Sequence, residues 1–397
     1  MRWRRYLKFI CATGIFISGC NSGGLTPDQK AQANKQWNDA RANVLAGLAS
    51  DQYKDGSLDK CQTTLEQALR LEPENANLHL LAAKLAIEQS NLEAAQQHLS
   101  EVRTLDPKNA EADYLLGVVY QRWEQLEHAR AAYADAVAKN PTELSYLLAN
   151  AETLVALGKP SEALKLLQSK ALVFEHSGVI RDEIGQLLIQ QNRYEEGIAE
   201  LREASILSSD DATIREHLAF ALFANKQFSE SAECFERLMT EPGYEKRADV
   251  FAAMGECQSR DHQYSQARKN YELATQINPS CYGYWLGLAK TNAQEKDLAG
   301  AEIAVRRSLS LEPDSSEARC LLGFVKLKQN QLPESLAAFH EAAELNPQDS
   351  FCVCLEGYLC ARMGRIADAR SFYSSALRLD PHNEFASRLL SSIAPLN

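Results

Sequence analysis

Across residues 110–143, AEADYLLGVVYQRWEQLEHARAAYADAVAKNPTE, apolar positions recur at helical spacing in two short runs separated by a polar break. Leu116, Gly117 and Tyr120 share one face of a first helix, and Ala129, Tyr133 and Ala136 share one face of a second. Asn140-Pro141 ends the pattern, because proline lacks the amide that would continue a helix. Gly117, Ala129 and Ala136 are small where two helix backbones approach; Tyr120 and Tyr133 are large enough to fill the space between them. One such hairpin cannot bury its apolar face alone, so the pattern predicts copies of itself on both sides.

The stop recurs at a fixed step. Pro73, Pro107 and Pro141 lie 34 residues apart, and Pro279, Pro313, Pro347 and Pro381 repeat that step. This period and residue pattern resemble the tetratricopeptide repeat family, which places Gly or Ala at the eighth position, Ala at the twentieth and twenty-seventh, and Pro at the thirty-second. Gly117, Ala129, Ala136 and Pro141 meet that pattern, as do Gly255, Ala267, Ala274 and Pro279, and Gly357, Ala369, Ala376 and Pro381. The resemblance covers nearly the whole chain after its N-terminus. It implies an all-α fold, a right-handed superhelical solenoid of about ten helix-turn-helix repeats with a C-terminal capping helix.

On that register an N-terminal helix over 26–41, capped by Thr26-Pro27 with Gln29, leads into ten tandem repeats across 42–381. The units are 42–75, 76–109, 110–143, 144–177, 178–211, 212–247, 248–281, 282–315, 316–349 and 350–383. The first is irregular, with Ala49 at the small position and Cys61 where the family prefers Ala. In the middle, Glu175 and Ser209 replace the stop proline, Gly197 falls inside a helix, and Ser231 replaces an Ala. Pro242-Gly243 and two extra residues near Lys246 and Arg247 shift the phase, so the array either bends at 240–248 or makes an ordinary long turn there. Residues 382–397 are expected to cap the array, with Phe385, Leu389 and Ile393 on the inner face and Arg388, Ser391 and Ser392 outside.

Composition changes this picture in one direction. The formal net charge of −11 over 397 residues argues against a phosphate backbone as ligand, since no counterions would be released by cationic side chains. Nucleic acid is therefore not expected as a partner, and adhesion to anionic lipid is disfavoured.

The first residues read as a targeting segment. Arg2, Arg4, Arg5 and Lys8 precede a mostly apolar run over 9–17, then Ile17-Ser18-Gly19-Cys20. The run is shorter than the roughly 18 residues a membrane span requires. The tetrapeptide resembles the bacterial lipobox, which implies a lipoprotein signal peptide over 1–19, lipidation of Cys20 and a lipidated tether over 20–25. The same resemblance implies placement on the bacterial cell envelope, facing the periplasm. Asn21 is not the Asp that marks inner-membrane retention in enteric bacteria, so the outer membrane is preferred.

No catalytic signature is present. The chain lacks a Gly-rich phosphate loop ending in Lys-Ser or Lys-Thr, and His340-Glu341 lacks the second His of a zinc helix. Single histidines such as His128 and His217 read as surface or packing residues. No enzyme activity, cofactor, metal or small-molecule substrate is expected. After signal removal eight cysteines remain besides Cys20. Cys320 and Cys354 occupy one repeat position on neighbouring first helices, where axes about 8 to 10 Å apart exceed the roughly 5.5 Å between Cα atoms that a disulfide favours. Free thiols are the expectation.

In the family this chain resembles, first helices line a concave groove at the second, fifth, ninth and twelfth positions. Carried onto this sequence, those positions select Phe220 and Phe223 with Glu216, then Cys320, Phe324 and Leu327, then Phe351, Cys354 and Tyr358. A Lys and Arg clamp for a peptide carboxylate is absent, with Lys84 and Lys290 isolated. The selected rings either line a groove that accepts an extended segment or helix of a protein partner, or pack half-buried between helices. The expected function is a membrane-anchored, non-catalytic protein interaction scaffold supporting assembly of an envelope complex, by analogy pilus, secretion or outer-membrane machinery. The alternative is an accessory regulatory subunit of a cell-envelope enzyme such as a cell-wall or polysaccharide synthase.

Overall fold

A computed structural model describes residues 26–393, which are helix and turn throughout with no strand among them. The signal peptide, Cys20 and the tether lie outside the described residues, as do the last four positions of the capping segment. The chain divides into two compact units, one up to Gly158 and one from Lys159.

The first unit holds α1 (Pro27–Lys54), α2 (Leu58–Leu71), α3 (Ala76–Glu88), α4 (Leu92–Leu105), α5 (Ala110–Arg122), α6 (Leu126–Lys139) and α7 (Leu144–Ala156). Helices α1 to α6 pair as three successive hairpins, and α7 packs on α6. The second unit holds α8 (Pro160–Lys170), α9 (Gly178–Gln190), α10 (Tyr194–Leu207), α11 (Ala212–Ala224), α12 (Phe228–Leu238), α13 (Ala248–Arg260), α14 (Tyr264–Ile277), α15 (Tyr282–Gln294), α16 (Leu298–Leu311), α17 (Ser316–Lys328), α18 (Leu332–Leu345), α19 (Ser350–Arg362), α20 (Ile366–Leu379) and α21 (Glu384–Ser392). There α9 to α20 pair as six hairpins, each stacked on the next, and α21 packs on the last.

Local chemistry sets the helix ends. The side chains of Asn75, Asn109, Asp211, Ser315 and Asp349 accept hydrogen bonds from amides of the first turn they precede. Between the helices of a hairpin one residue turns left-handed. Glu124 (φ 58°) does so after α5, where the Gln125 amide donates to the Tyr120 carbonyl at 2.9 Å. That bond closes the first helix and reverses the chain. The same left-handed residue recurs at Ser90, Gly158, Asn192 and Lys226, and again at Lys296, Asn330 and Gly364, in steps of 34.

Small residues let the two helices of a hairpin touch. A Cβ on Gly117 would lie 2.5 Å from carbons of the Tyr133 ring, and one on Gly357 would lie 2.8 Å from Tyr373. Ala129 and Ala136 are fully buried beside them, and Tyr133 is 1% exposed. Within each unit the core is therefore built from interlocked small and aromatic side chains of successive hairpins.

The extra residues of 240–248 form one turn of 3-10 helix at Tyr244–Lys246 inside the second unit. That turn is stitched down: Tyr244 Oη donates to Glu216 Oε2 at 2.7 Å and Arg247 Nη2 donates to Glu216 Oε1 at 2.6 Å. One expectation changes: the inner face of α21 is rotated from the expected one. Ala386 is fully buried and Leu389, Leu390 and Ile393 pack inward, whereas Phe385 is exposed. Asn383, whose side chain accepts from the Ala386 amide, sets that start of the helix.

Candidate peptide groove

The first helices α17 and α19 carry most of the groove positions selected from sequence. Phe324 stands edge-on to Phe339 of α18, with ring centroids 5.1 Å apart and planes at 89°. Its ring centroid lies 6.0 Å from that of Phe351, which opens α19 and is 44% exposed. Edge-to-face pairs of this kind hold a ring in one orientation. Leu327 and Cys320 are half-buried against the same cluster, which includes Phe339 and Leu359. Tyr358 is half-buried farther along α19.

Cys354 does not line a groove. It is 0% exposed and belongs to one buried cluster with Tyr373 of α20 and Ala386 of α21. Burial pushes its thiol up to about 11, so it is a neutral packing group at ordinary pH.

On α11 the expected positions are brought together around a different core. Phe220 stands edge-on to Phe235 with centroids 5.0 Å apart, and Phe223 to Phe228 at 6.0 Å. Both rings are half-buried between helices. Glu216 is already engaged: burial works against its charge, but the bonds from Arg247 and Tyr244 outweigh it and hold the carboxyl below the usual range. Tyr244 in turn is pushed up to about 12 by burial and by that carboxylate. Lys84 and Lys290 are bound to Glu111 at 2.6 Å and Glu317 at 2.7 Å, so neither cation is held ready for a ligand.

Sequence reasoning missed a set of ionic clasps. Asp113 is 0% exposed on α5 and meets Arg103 of α4 at 3.1 Å and Lys139 of α6. His217 of α11 meets the buried Asp182 of α9 at 2.9 Å, and that bond raises the imidazole pKa above its ordinary value. His340 of α18 meets Glu356 of α19 at 2.8 Å; burial raises the Glu356 pKa despite the imidazole beside it. These groups sit at a different position in each repeat, so no periodic signal announces them.

Among the described residues no group of three or more His, Cys, Asp and Glu is placed to hold a metal ion, and no helix is long and apolar enough to cross a membrane. What the geometry offers is a half-buried apolar strip on stacked first helices, which defines a helical-repeat binding protein. Residues 52–119 match one family model of the tetratricopeptide repeat, and residues 183–243, 247–318 and 320–384 match another. The chain belongs to the tetratricopeptide repeat family.

Among curated proteins, tetratricopeptide repeat protein 16 of Macaca fascicularis is 23% identical over 295 residues, 66% of this chain and 34% of the relative. The Homo sapiens protein of the same name is 23% identical over 295 residues, 33% of its length. The chain thus spans about a third of the length of these curated relatives. Among solved structures, the C-terminal part of a TPR repeat-containing protein from Cytophaga hutchinsonii covers 60% of this chain and 98% of its own, with a TM-score of 0.51 and 13% identity. That likeness agrees with an all-α solenoid of tetratricopeptide repeats. Repeats of this family generally serve as non-catalytic protein–protein interaction scaffolds and generally take protein partners through a groove.

Proposed function

We propose that this protein is a lipid-anchored scaffold of the bacterial cell envelope, tethered through Cys20 and capturing an apolar segment of a partner protein on α17 and α19. In this reading it supports assembly of an envelope complex, with pilus, secretion or outer-membrane machinery as the analogous systems. The observation that carries the capture step is the pairing of a locked ring with an open one: Phe324 is fixed against Phe339, while Phe351 beside it keeps 44% of its surface exposed. A rigid aromatic floor with an accessible edge is the kind of anchor that binds an apolar side chain at low entropic cost. The basic start of the chain, its short apolar run and the tetrapeptide ending at Cys20 support the anchor.

The two halves are tested separately. Cys20→Ser should move the protein from the membrane fraction to the soluble one; retention on membranes removes the anchor. A photo-crosslinking residue in place of Phe351 should join one envelope protein in the native host. Phe351→Ser should abolish co-isolation of that protein while the helical circular dichroism and melting stay as in the parent. Undiminished co-isolation removes the groove.

A further inference from the structure

Cys320 of α17 and Cys352 of α19 are 32 residues apart, not the repeat step, and belong to the first helices of successive hairpins. Their sulfurs are 3.5 Å apart, with the Cys352 thiol donating to the Cys320 sulfur. A disulfide bond is about 2.05 Å long, so closure asks each sulfur to move by about 0.7 Å. The expectation of free thiols compared Cys320 with Cys354, which shares its repeat position. The helix instead presents Cys352, two residues earlier, toward Cys320. Among the described residues no other two thiols are hydrogen-bonded to each other; Cys257, for one, contacts Ser231.

We propose that Cys320 and Cys352 are a redox modification site, closed to a disulfide by a small peroxide and reopened by a dithiol. The two sulfurs have different parts in the reaction. Cys320 is half-buried and reachable, and the hydrogen bond from Cys352 holds its thiol below the usual range, which favours the nucleophilic thiolate. Cys352 is 1% exposed and its thiol is pushed up by that same bond and by burial, so it stays protonated until it reacts.

The thiolate of Cys320 attacks one peroxide oxygen, the O–O bond breaks, and hydroxide leaves a sulfenic acid on Cys320. The Cys352 sulfur then attacks that sulfenic sulfur. The S–S bond forms as the S–O bond breaks, and the departing hydroxyl leaves as water with the Cys352 proton. Both sulfurs are oxidised by one electron each, and the peroxide is reduced to two waters. The bridge would fix the spacing of α17 and α19 beside the Phe324 and Phe351 rings, whose centroids are 6.0 Å apart. Oxidation would thereby set the stiffness of the strip that faces a partner, whatever compartment the protein occupies.

The test is hydrogen peroxide, near one equivalent, on the full-length reduced chain, followed by alkylation and non-reducing peptide mapping. The expected product links the peptides of Cys320 and Cys352, with Cys61, Cys257, Cys354 and Cys360 alkylated. Separate alkyl labels on Cys320 and Cys352, or a sulfinic acid on Cys320 with no bridge, overturn the proposal. Cys352→Ser should stop Cys320 at the sulfenic stage, captured by dimedone, and Cys320→Ser should abolish the peroxide-dependent loss of thiols. If either variant misfolds, the map of the parent chain decides. Amide exchange in α17 and α19 should slow severalfold on oxidation and recover in dithiothreitol; unchanged exchange removes the stiffening role.

Discussion

The Tyr133 ring occupies the space that a side chain on Gly117 would need: a Cβ there would meet three ring carbons at 2.5 to 2.9 Å. Tyr133 cannot swing aside, because it is 1% exposed and its hydroxyl donates to Gln121 Oε1 at 2.7 Å. The pair joins α5 to α6.

Gly117→Ala should therefore overpack this hairpin and cost about 1 to 3 kcal/mol. In a stacked repeat array such a loss is local, so the fitting readout is faster amide exchange in α5 and α6 with less change in α1. Gly283→Ala is the control. Its Cβ would have Cys281 Sγ as nearest neighbour at 3.9 Å, and in the α15 helix alanine should be neutral or stabilising. Equal behaviour of the two variants would contradict the steric account.

The His217–Asp182 clasp makes stability depend on pH. The imidazole pKa is raised in the folded chain, first by the Asp182 bond and further by Glu216 and Glu183 nearby, with burial opposing. A raised folded pKa contributes in full below the unfolded value of about 6.5 and fades as pH rises through the folded value. His217→Gln should thus melt below the parent near pH 6, and the gap should narrow by about pH 9. Asp182 keeps the Gln186 amide at 2.8 Å in that variant, so it is not stranded. A gap that is constant across that range would show that the imidazole contributes packing and no charge.

Truncation after Pro381 should lower the melting temperature and promote aggregation. Leu389 and Leu390 are half-buried, worth on the order of 1 kcal/mol each, and Ala386 is fully buried. The specific sign is chemical: Cys354, sealed in the intact chain, should become reactive toward a thiol reagent in the folded truncated one. A protected Cys354 after truncation would show that α21 is not what covers it.

The all-α repeat fold was legible because it rests on a periodic requirement. Each hairpin needs the close approach seen at Gly117 and Gly357 and the stop seen at Pro141 and Pro381, and a requirement met once per repeat leaves a period in the sequence. The left-handed turn recurs as regularly but left only a partial trace. Gly158, Gly364, Asn192 and Asn330 favour a positive φ, whereas Glu124, Lys226 and Lys296 do not, and the backbone bond from Gln125 to Tyr120 shows why: the turn is closed by main-chain atoms, so no one side chain is required. The candidate groove was legible only in part. The family's groove positions selected Phe324 and Phe351 on adjoining first helices, but they selected Cys354 as well, and it is covered. Whether a position is open depends on the next element of the stack, and α21 occurs only once. The clasps at Asp113, Asp182 and Glu356 were hidden because each solves a local charge problem at its own position.

An array of like units has no inherent length, since the face each hairpin offers is the face the next one accepts. In this chain α21 lays Ala386, Leu389 and Leu390 where a further first helix would dock on α20, and turns Arg388 and Ser391 to water. A second copy arriving end-on would have to displace that helix before it could add. The nine residues of α21 thus cover an apolar face that, left bare, would be a ready docking surface for a like unit.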